Sequence, residues 1–392
     1  MIVSPLAVHS PRAVREALLA RGWDDVRADA AASGIGPFAV LVTAADPETL
    51  QALVRHGGKL GLDVLTGGDW ALIAGSFARF GALARPWVVP PELAELAVQV
   101  GGALGPEPTT RWQTARGTVA VDRPVLIGII NVTPDSFSDG GQFTRLEAAV
   151  AQADRLLQEG ADLLDVGGES TRPGRPLPVD ADEECRRIIP VIEAVARRHP
   201  SALLSVDTVK SAVARAALGA GAAVLNDVSG FRLDPAMAGV AAETGAGVVL
   251  MHSRGGVSDM ATYDHAEYGG DVVSVVRQEL RQALGRALDG GVPAEQVVLD
   301  PGFGFAKTPE QSLELCDGLA LLLPLGRPLA VGPSRKRFLG LVTGRDVVQR
   351  DGATAAACVV AYERGARLFR VHNVAAAREA LMVAHAIRAG RP

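Results

Sequence analysis

The sequence predicts an α/β protein: a TIM-type (β/α)8 barrel preceded by a small α/β domain. Three observations predict it. Eight short apolar runs mark the second part of the chain, continuous rather than alternating, as parallel strands buried on both faces require. Amphipathic stretches separate them. Polar residues follow each run, always on its C-terminal side, and a barrel gathers its strand C-termini on one face.

Residues 1–108 form the smaller predicted domain. Phe38–Thr43 and Leu60–Leu65 read as strands. Ala13–Ala20, Pro47–His56, Trp70–Phe80 and Pro91–Val100 read as helices, with Asp46-Pro47 a start signal. Gly57-Gly58 and Gly67-Gly68 read as turns. This region carries no phosphate loop, metal-ligand spacing or catalytic triad, so the sequence assigns it no chemistry. Leu104–Thr110, with two prolines and a glycine, reads as a linker.

Residues 109–392 form the predicted barrel domain. Trp112–Asp122 reads as a hairpin closing the barrel bottom, with Arg116-Gly117 at its turn. The strands are Val125–Ile130, Leu163–Val166, Leu203–Val206, Ala223–Leu225, Val248–Met251, Val297–Leu299, Leu329–Val331 and Leu368–Val371. Between the first two, Leu146, Val150, Ala153 and Leu157 put one apolar stripe on a helix that Gly160 ends. Ile188, Ile189, Ile192 and Val195 repeat the pattern, with Pro190 expected to kink that helix. Asp271–Leu288, Arg350–Arg364 and Val374–Ile387 supply three more helices.

Composition narrows the function. The chain has 392 residues, 48% hydrophobic and 21% charged, enough for a sizeable core and against disorder. A net charge of −5 argues against a general nucleic-acid binder. No apolar run approaches the ~20 residues of a membrane span, and no secretory leader is visible. The three cysteines, Cys185, Cys316 and Cys358, form no CxxC pair and read as reduced thiols. A cytoplasmic protein without nucleic-acid or membrane partners is expected.

The polar strand ends are Asn131; Glu169 with Thr171; Asp207; Asn226 with Asp227; His252; Asp300; Ser334 with Lys336; and Arg370 with His372. Any one alone is a cap or a loop residue. Together they would line one mouth, where barrels place their active sites.

The segments carrying them also resemble a known family. They are Asn131–Gly141 (NVTPDSFSDGG), Asp165–Gly174 (DVGGESTRPG), Ser205–Thr208, Asn226–Gly230, Asp300–Lys307 (DPGFGFAK), Gly332–Arg337 (GPSRKR) and Arg370–His372. In this order, over about 70% of the chain, they resemble dihydropteroate synthase, a folate-pathway enzyme of the pterin-binding barrels. The resemblance implies small-molecule substrates: 6-hydroxymethyl-7,8-dihydropterin diphosphate and 4-aminobenzoate. It also implies Mg²⁺ as cofactor, and a homodimer is the expected assembly.

Residue roles follow from that resemblance. Asp300 is the carboxylate that reads the pterin's amino and N–H edge, with Asp207 and Asn226 beside it. Lys336 meets the ring carbonyl edge near the leaving group. Asn131 is the metal ligand, compatible with the few protein ligands Mg²⁺ takes. Thr171, Arg370 and His372 face the diphosphate. Asp135 and Phe137 lie in a loop expected to close over the mouth, with Phe137 on the aminobenzoate ring and Arg172 holding Asp135. Ser334 is expected to meet the aminobenzoate carboxylate, and Phe305 to border that pocket. His252 and Lys307 receive no role. The family's last motif often runs Arg-Val-His-Asp; here Asn373 stands at its end. Two other readings remain at this point: a pterin-binding methyltransferase barrel, with no diphosphate to expel, and a catalytically silent barrel acting as a binding module.

Overall fold

The structure is a computed structural model describing residues 1–6, 11–34, 38–75, 77–104, 109–133, 142–170 and 179–390. Two compact units divide the chain: Met1–Pro108 with Cys316–Gly326 and Glu363–Gly365, and the remainder from Thr109 onward. Among the described residues no helix is long and apolar enough to cross a membrane.

In the smaller unit β1 (Ile2–Leu6), β2 (Phe38–Thr43), β3 (Asp63–Gly67) and β4 (Trp70–Gly75) form an antiparallel sheet in the order β1-β2-β4-β3. The helix Pro47–Gly57 begins as expected: Asp46 Oδ1 accepts the Thr49 N–H at 2.8 Å, and Pro47 needs no partner for its missing N–H. Trp70–Phe80 is not a helix, as its apolar run suggested. It is strand β4 followed by the helix Phe77–Leu83. Every residue of β4 is buried between β2 and β3, so the run shows neither helical nor strand periodicity. Strand β1 and the helix Asp25–Gly34 carried no pattern that separated them from loop.

The larger unit opens with a hairpin, β5 (Arg111–Thr114) and β6 (Gly117–Ala120). Eight parallel strands follow: β7 (Val125–Asn131), β8 (Leu163–Gly167), β9 (Leu203–Asp207), β10 (Val224–Asp227), β11 (Gly247–Met251), β12 (Val297–Asp300), β13 (Leu329–Val331) and β14 (Ala366–Val371). They close into one barrel in sequence order, β14 pairing with β7. The helix Ala181–Arg198 runs as a single element through Pro190, with Ile188, Val191, Ile192 and Val195 burying one face.

Side-chain alternation fills the barrel in layers. Towards the strand N-termini lie Ile127, Leu163, Val224, Val249, Val298 and Leu368, packed on Trp112 of the hairpin. The indole Nε1 donates to Gln296 O at 2.7 Å, so the fully buried ring keeps its one polar group satisfied. The hairpin thus plugs the barrel bottom. Two residues further along the same strands, aliphatic side chains give way to Asp165, Asn226, Asp300 and Arg370.

Candidate active site

One cavity of about 630 Å³ occupies the C-terminal mouth of the barrel. Asn131, Asp207, Asn226, Asp300, Phe305, Ser334, Lys336, Arg370 and His372 all line it. These are all the residues given a role that fall in the described part of the chain; of the other polar strand ends Glu169 also lines the cavity, whereas Asp227 and His252 do not. Asp135, Phe137, Thr171 and Arg172 lie outside the described residues.

The floor is an ionic layer. Arg370 donates from Nε to Asp165 Oδ2 at 2.6 Å and from Nη2 to Asp207 Oδ2 at 2.7 Å. Asn226 Nδ2 donates to the same Asp165 oxygen at 3.0 Å. One guanidinium from the last strand therefore ties together carboxylates from β8 and β9. Burial opposes the charge on Arg370, but Asp165 and Asp207 outweigh it and hold its proton more tightly than in water. Burial pushes Asp207 up to about 7 against the pull of Arg370, and pushes Asp300 up to about 6. Burial thus acts on both acids in the same direction, towards the protonated form.

Asp300 ends β12 and starts the loop 301–307. Its Oδ1 accepts the Gly302 N–H at 2.7 Å. Gly302 has φ +69°, and an added Cβ would stand 2.0 Å from His252 O, so only glycine fits this turn. Beyond it, the Phe305 ring lies under Lys336, with Nζ 3.9 Å from the ring centroid. Lys336 immediately precedes the helix Arg337–Thr343, and its neighbour Arg335 takes a positive φ of 58°. Such backbone strain is commonly held at functional sites. Arg335 is anchored by Asp351, which accepts from its Nε at 2.9 Å.

Ser334 and His372 face one another across β13 and β14, Oγ to Nδ1 at 2.9 Å. Ser334 also accepts the His372 N–H at 3.2 Å. Asn373, the departure from the family pattern, caps the last helix: its Oδ1 accepts from Ala376 N at 3.0 Å while Nδ2 donates to Asp351 at 2.9 Å. An aspartate there could cap, but could not donate to Asp351.

Residues 127–372 match the family of pterin binding enzymes. A dihydropteroate synthase of Synechocystis sp. is 44% identical over 266 residues, which span 68% of this chain and 90% of that protein. The chain belongs to the dihydropteroate synthases. The structure of the Xanthomonas albilineans dihydropteroate synthase with 4-aminobenzoic acid matches with a TM-score of 0.66 at 45% identity, over 72% of this chain and 99% of that one. That enzyme's complex with 7,8-dihydropteroate matches with a TM-score of 0.62 at 43% identity, over 69% of this chain and 96% of that one. The family match begins within β7, after the smaller unit and the hairpin.

Two fully buried charged residues of this cavity were given no role from the sequence. Asp165 is fully buried and lines the cavity, yet it sat inside an apolar strand and read as part of it. The usable signal was the charge itself: a carboxylate within a doubly buried strand must face a partner. Lys307 also lines the cavity and is fully buried, but its position in a glycine-rich loop hid that.

Proposed function

We propose that the chain condenses 6-hydroxymethyl-7,8-dihydropterin diphosphate with 4-aminobenzoate to 7,8-dihydropteroate and diphosphate. The observation that carries this reading is the convergence of Asp207, Asn226, Asp300, Lys336 and Arg370, from separate strand ends, on one cavity. A flat heterocycle with donors on one edge and a carbonyl on another needs such a set: carboxylates and an amide on one side, a cation on the other.

Asp300, with Asp207 and Asn226, accepts from the pterin amino and ring N–H groups. Lys336 donates to the ring carbonyl. The exocyclic carbon–oxygen bond breaks and its electron pair leaves with the diphosphate. The dihydropterin ring delocalises the positive charge left on that carbon. The neutral arylamine nitrogen then forms the new carbon–nitrogen bond and sheds a proton to water. His372 faces the departing diphosphate, where donors act on the growing negative charge, while Arg370, expected beside it, holds Asp165 and Asp207 at the floor and adds its charge from there. Phe305 borders the arylamine, and Ser334, hydrogen-bonded to His372, is placed to meet the arylamine's carboxylate.

Mg²⁺ fits this site on the chemistry of its donors. Among the described residues no cluster of three His, Cys, Asp or Glu is poised to hold a metal. Asn131 lines the mouth instead, and a single amide ligand suits Mg²⁺, a cation that commonly takes few protein ligands beside water and phosphate oxygens. Asn131 would hold the ion, which when bound neutralises diphosphate charge.

Val360, Met382, Val383 and Ile387 are exposed on the helices Asp351–Glu363 and Val374–Ala389, and we place a homodimer contact there. The cysteines are free, two of them buried, which suits a reducing compartment such as the cytoplasm. The test of the activity is direct. Purified full-length chain with both substrates and Mg²⁺ should form dihydropteroate and diphosphate in equal amounts. Diphosphate formed without dihydropteroate, or neither product, would contradict the reading.

A further inference from the structure

Lys307 is a fully buried cation without a carboxylate in direct contact among the described residues. Its Nζ reaches His252 Nδ1 at 2.8 Å, Gly302 O at 3.1 Å and Phe305 O at 2.9 Å. An ammonium has three N–H donors, and these three acceptors use all of them. His252, buried at the end of β11, passes the interaction on: its Nε2 lies 2.7 Å from Glu279 Oε2 on the helix Val272–Asp289. For Nδ1 to accept, the imidazole must be neutral, with its proton on Nε2 facing Glu279. Burial, reinforced by the Lys307 charge, pulls His252 down to about 4, in keeping with that form. Glu279 is pushed up by burial, but hydrogen bonds from His252 and Arg254 outweigh this and hold it at about 2. Lysine, imidazole and carboxylate thus form one line of charge and hydrogen bonds, running from the buried Lys307 and His252 to the half-buried Glu279.

This line ends on the loop that carries the pterin-reading carboxylate. Both carbonyls bound by Lys307 belong to that loop, one after the Asp300 turn and one at Phe305, whose ring lies under Lys336. The loop has further ties. Ala306, at φ 48°, donates to Met260 O at 2.7 Å, and its own carbonyl accepts the Tyr268 hydroxyl at 3.0 Å. Arg254, bonded to Glu279, lies over the Tyr268 ring at 4.1 Å. A buried cation is costly unless its bonds are all made, so its presence points to a geometric demand on this loop.

We propose that Lys307 is a positioning residue of the synthase site, its ammonium fixing the loop 301–307 so that Asp300 and Phe305 stand correctly against Lys336. The proposal rests on the pterin-condensing function given above. Lys307 also acts on Asp300 through space. Asp300 is faced by the charges of Lys336, Lys307 and Arg370, each favouring its ionised form against burial. Lys307 itself is pulled down by burial, with Asp300 and Glu279 opposing and Arg254 and Lys336 adding to the fall.

The experiment compares Lys307→Met, His252→Asn and His252→Leu with the unsubstituted chain. Lys307→Met should lower kcat/KM at least about tenfold, the scale of a small misplacement of reacting groups. It should also move the acid limb of the kcat/KM profile to higher pH, because one charge favouring ionised Asp300 is gone. A residue that only held the fold would not move that limb. His252→Asn places an amide oxygen where Nδ1 was and should retain kcat/KM within about threefold, while His252→Leu should fall with Lys307→Met. An unchanged rate and acid limb in Lys307→Met overturns the proposal. Should that variant fail to fold, equal turnover in the two His252 variants overturns it instead. Hydrogen exchange at the Phe305 and Ala306 amides, measured without substrate, separates this idea from the activity itself. If the unsubstituted chain makes no dihydropteroate while Lys307→Met loses that protection, the function fails and the loop tie stands. Unaltered protection in a folded Lys307→Met counts against the tie whatever the activity.

Discussion

The two ends of the barrel are built by the same eight strands and do opposite work. At the bottom, Ile127, Leu163, Val224, Val249 and Leu368 close on Trp112 of the hairpin, with Ile127, Leu163 and Val249 also bordering the cavity from below. Two residues further along, Ile129, Asp165, Asn226, Met251 and Arg370 face the cavity at the mouth. The backbone is continuous, so the difference lies in side-chain type alone. Apolar burial contributes roughly 25 cal/mol per Å² and asks nothing of geometry. The ionic layer gives back much of its Coulomb energy as desolvation and is worth having only if it binds something. Stability therefore belongs to one end and recognition to the other.

The largest effect that can break this division is at Lys336. Lys336→Ala should lower kcat by about 10²–10³-fold, the scale of removing one donor from a developing charge. Its melting temperature should stay close to that of the unsubstituted chain. Diphosphate release and thermal melting on one preparation check both.

Trp112→Ala should do the reverse. Removing a fully buried indole should cost about 3–5 kcal/mol of stability, read by urea unfolding. The folded fraction should keep most of its kcat/KM, because the ring packs on the aliphatic layer of Ile127, Leu163 and Val249 and not on the polar side chains above it.

Asp300 sharpens the contrast through pH. Its carboxyl is raised to about 6 by burial, above the ordinary 3.8, so the folded chain holds that proton more tightly than the unfolded chain. Stability from this group is full below about 4 and is lost as pH rises through about 6. Asp300→Asn should thus gain about 1–3 kcal/mol at pH 8 and little at pH 4. Activity should run the other way: with the ionised carboxylate reading the pterin, as proposed, kcat/KM should rise with pH through about 6. Asp300→Asn should flatten that limb. Denaturant titrations at the two pH values, with a pH–rate profile, measure both signs.

The smallest effect concerns Asn373. Asn373→Asp restores the residue common in the family, yet it places a second carboxylate against Asp351. We expect a loss of about 1 kcal/mol rather than a gain, measured by chemical denaturation.

The barrel was legible because its pattern is global: each continuous apolar run is a doubly buried strand, and each ends in polar residues. Strand β7 was read to within a residue of its end, and the hairpin was read with its turn. The smaller unit was less legible. Its central strand β4 is as apolar as a buried helix, and nothing local separates the two over six residues. At the site, Asp207, Asn226, Asp300, Lys336 and Arg370 could be placed on one mouth from strand ends alone. Their pairing could not. That Arg370 is held by Asp165 and Asp207, or that Ser334 turns to His372, depends on side chains from strands far apart in sequence. Lys307 was the least legible of all, because a lysine in a loop normally faces water.

The most direct measurement sets turnover against stability in the two opposite variants, Lys336→Ala and Trp112→Ala, prepared and assayed side by side. The expected result is crossed: Lys336→Ala folded and nearly inactive, Trp112→Ala destabilised and, where folded, active. If Lys336→Ala keeps its rate of dihydropteroate formation, or Trp112→Ala loses rate without losing stability, the division of labour between the two ends is contradicted.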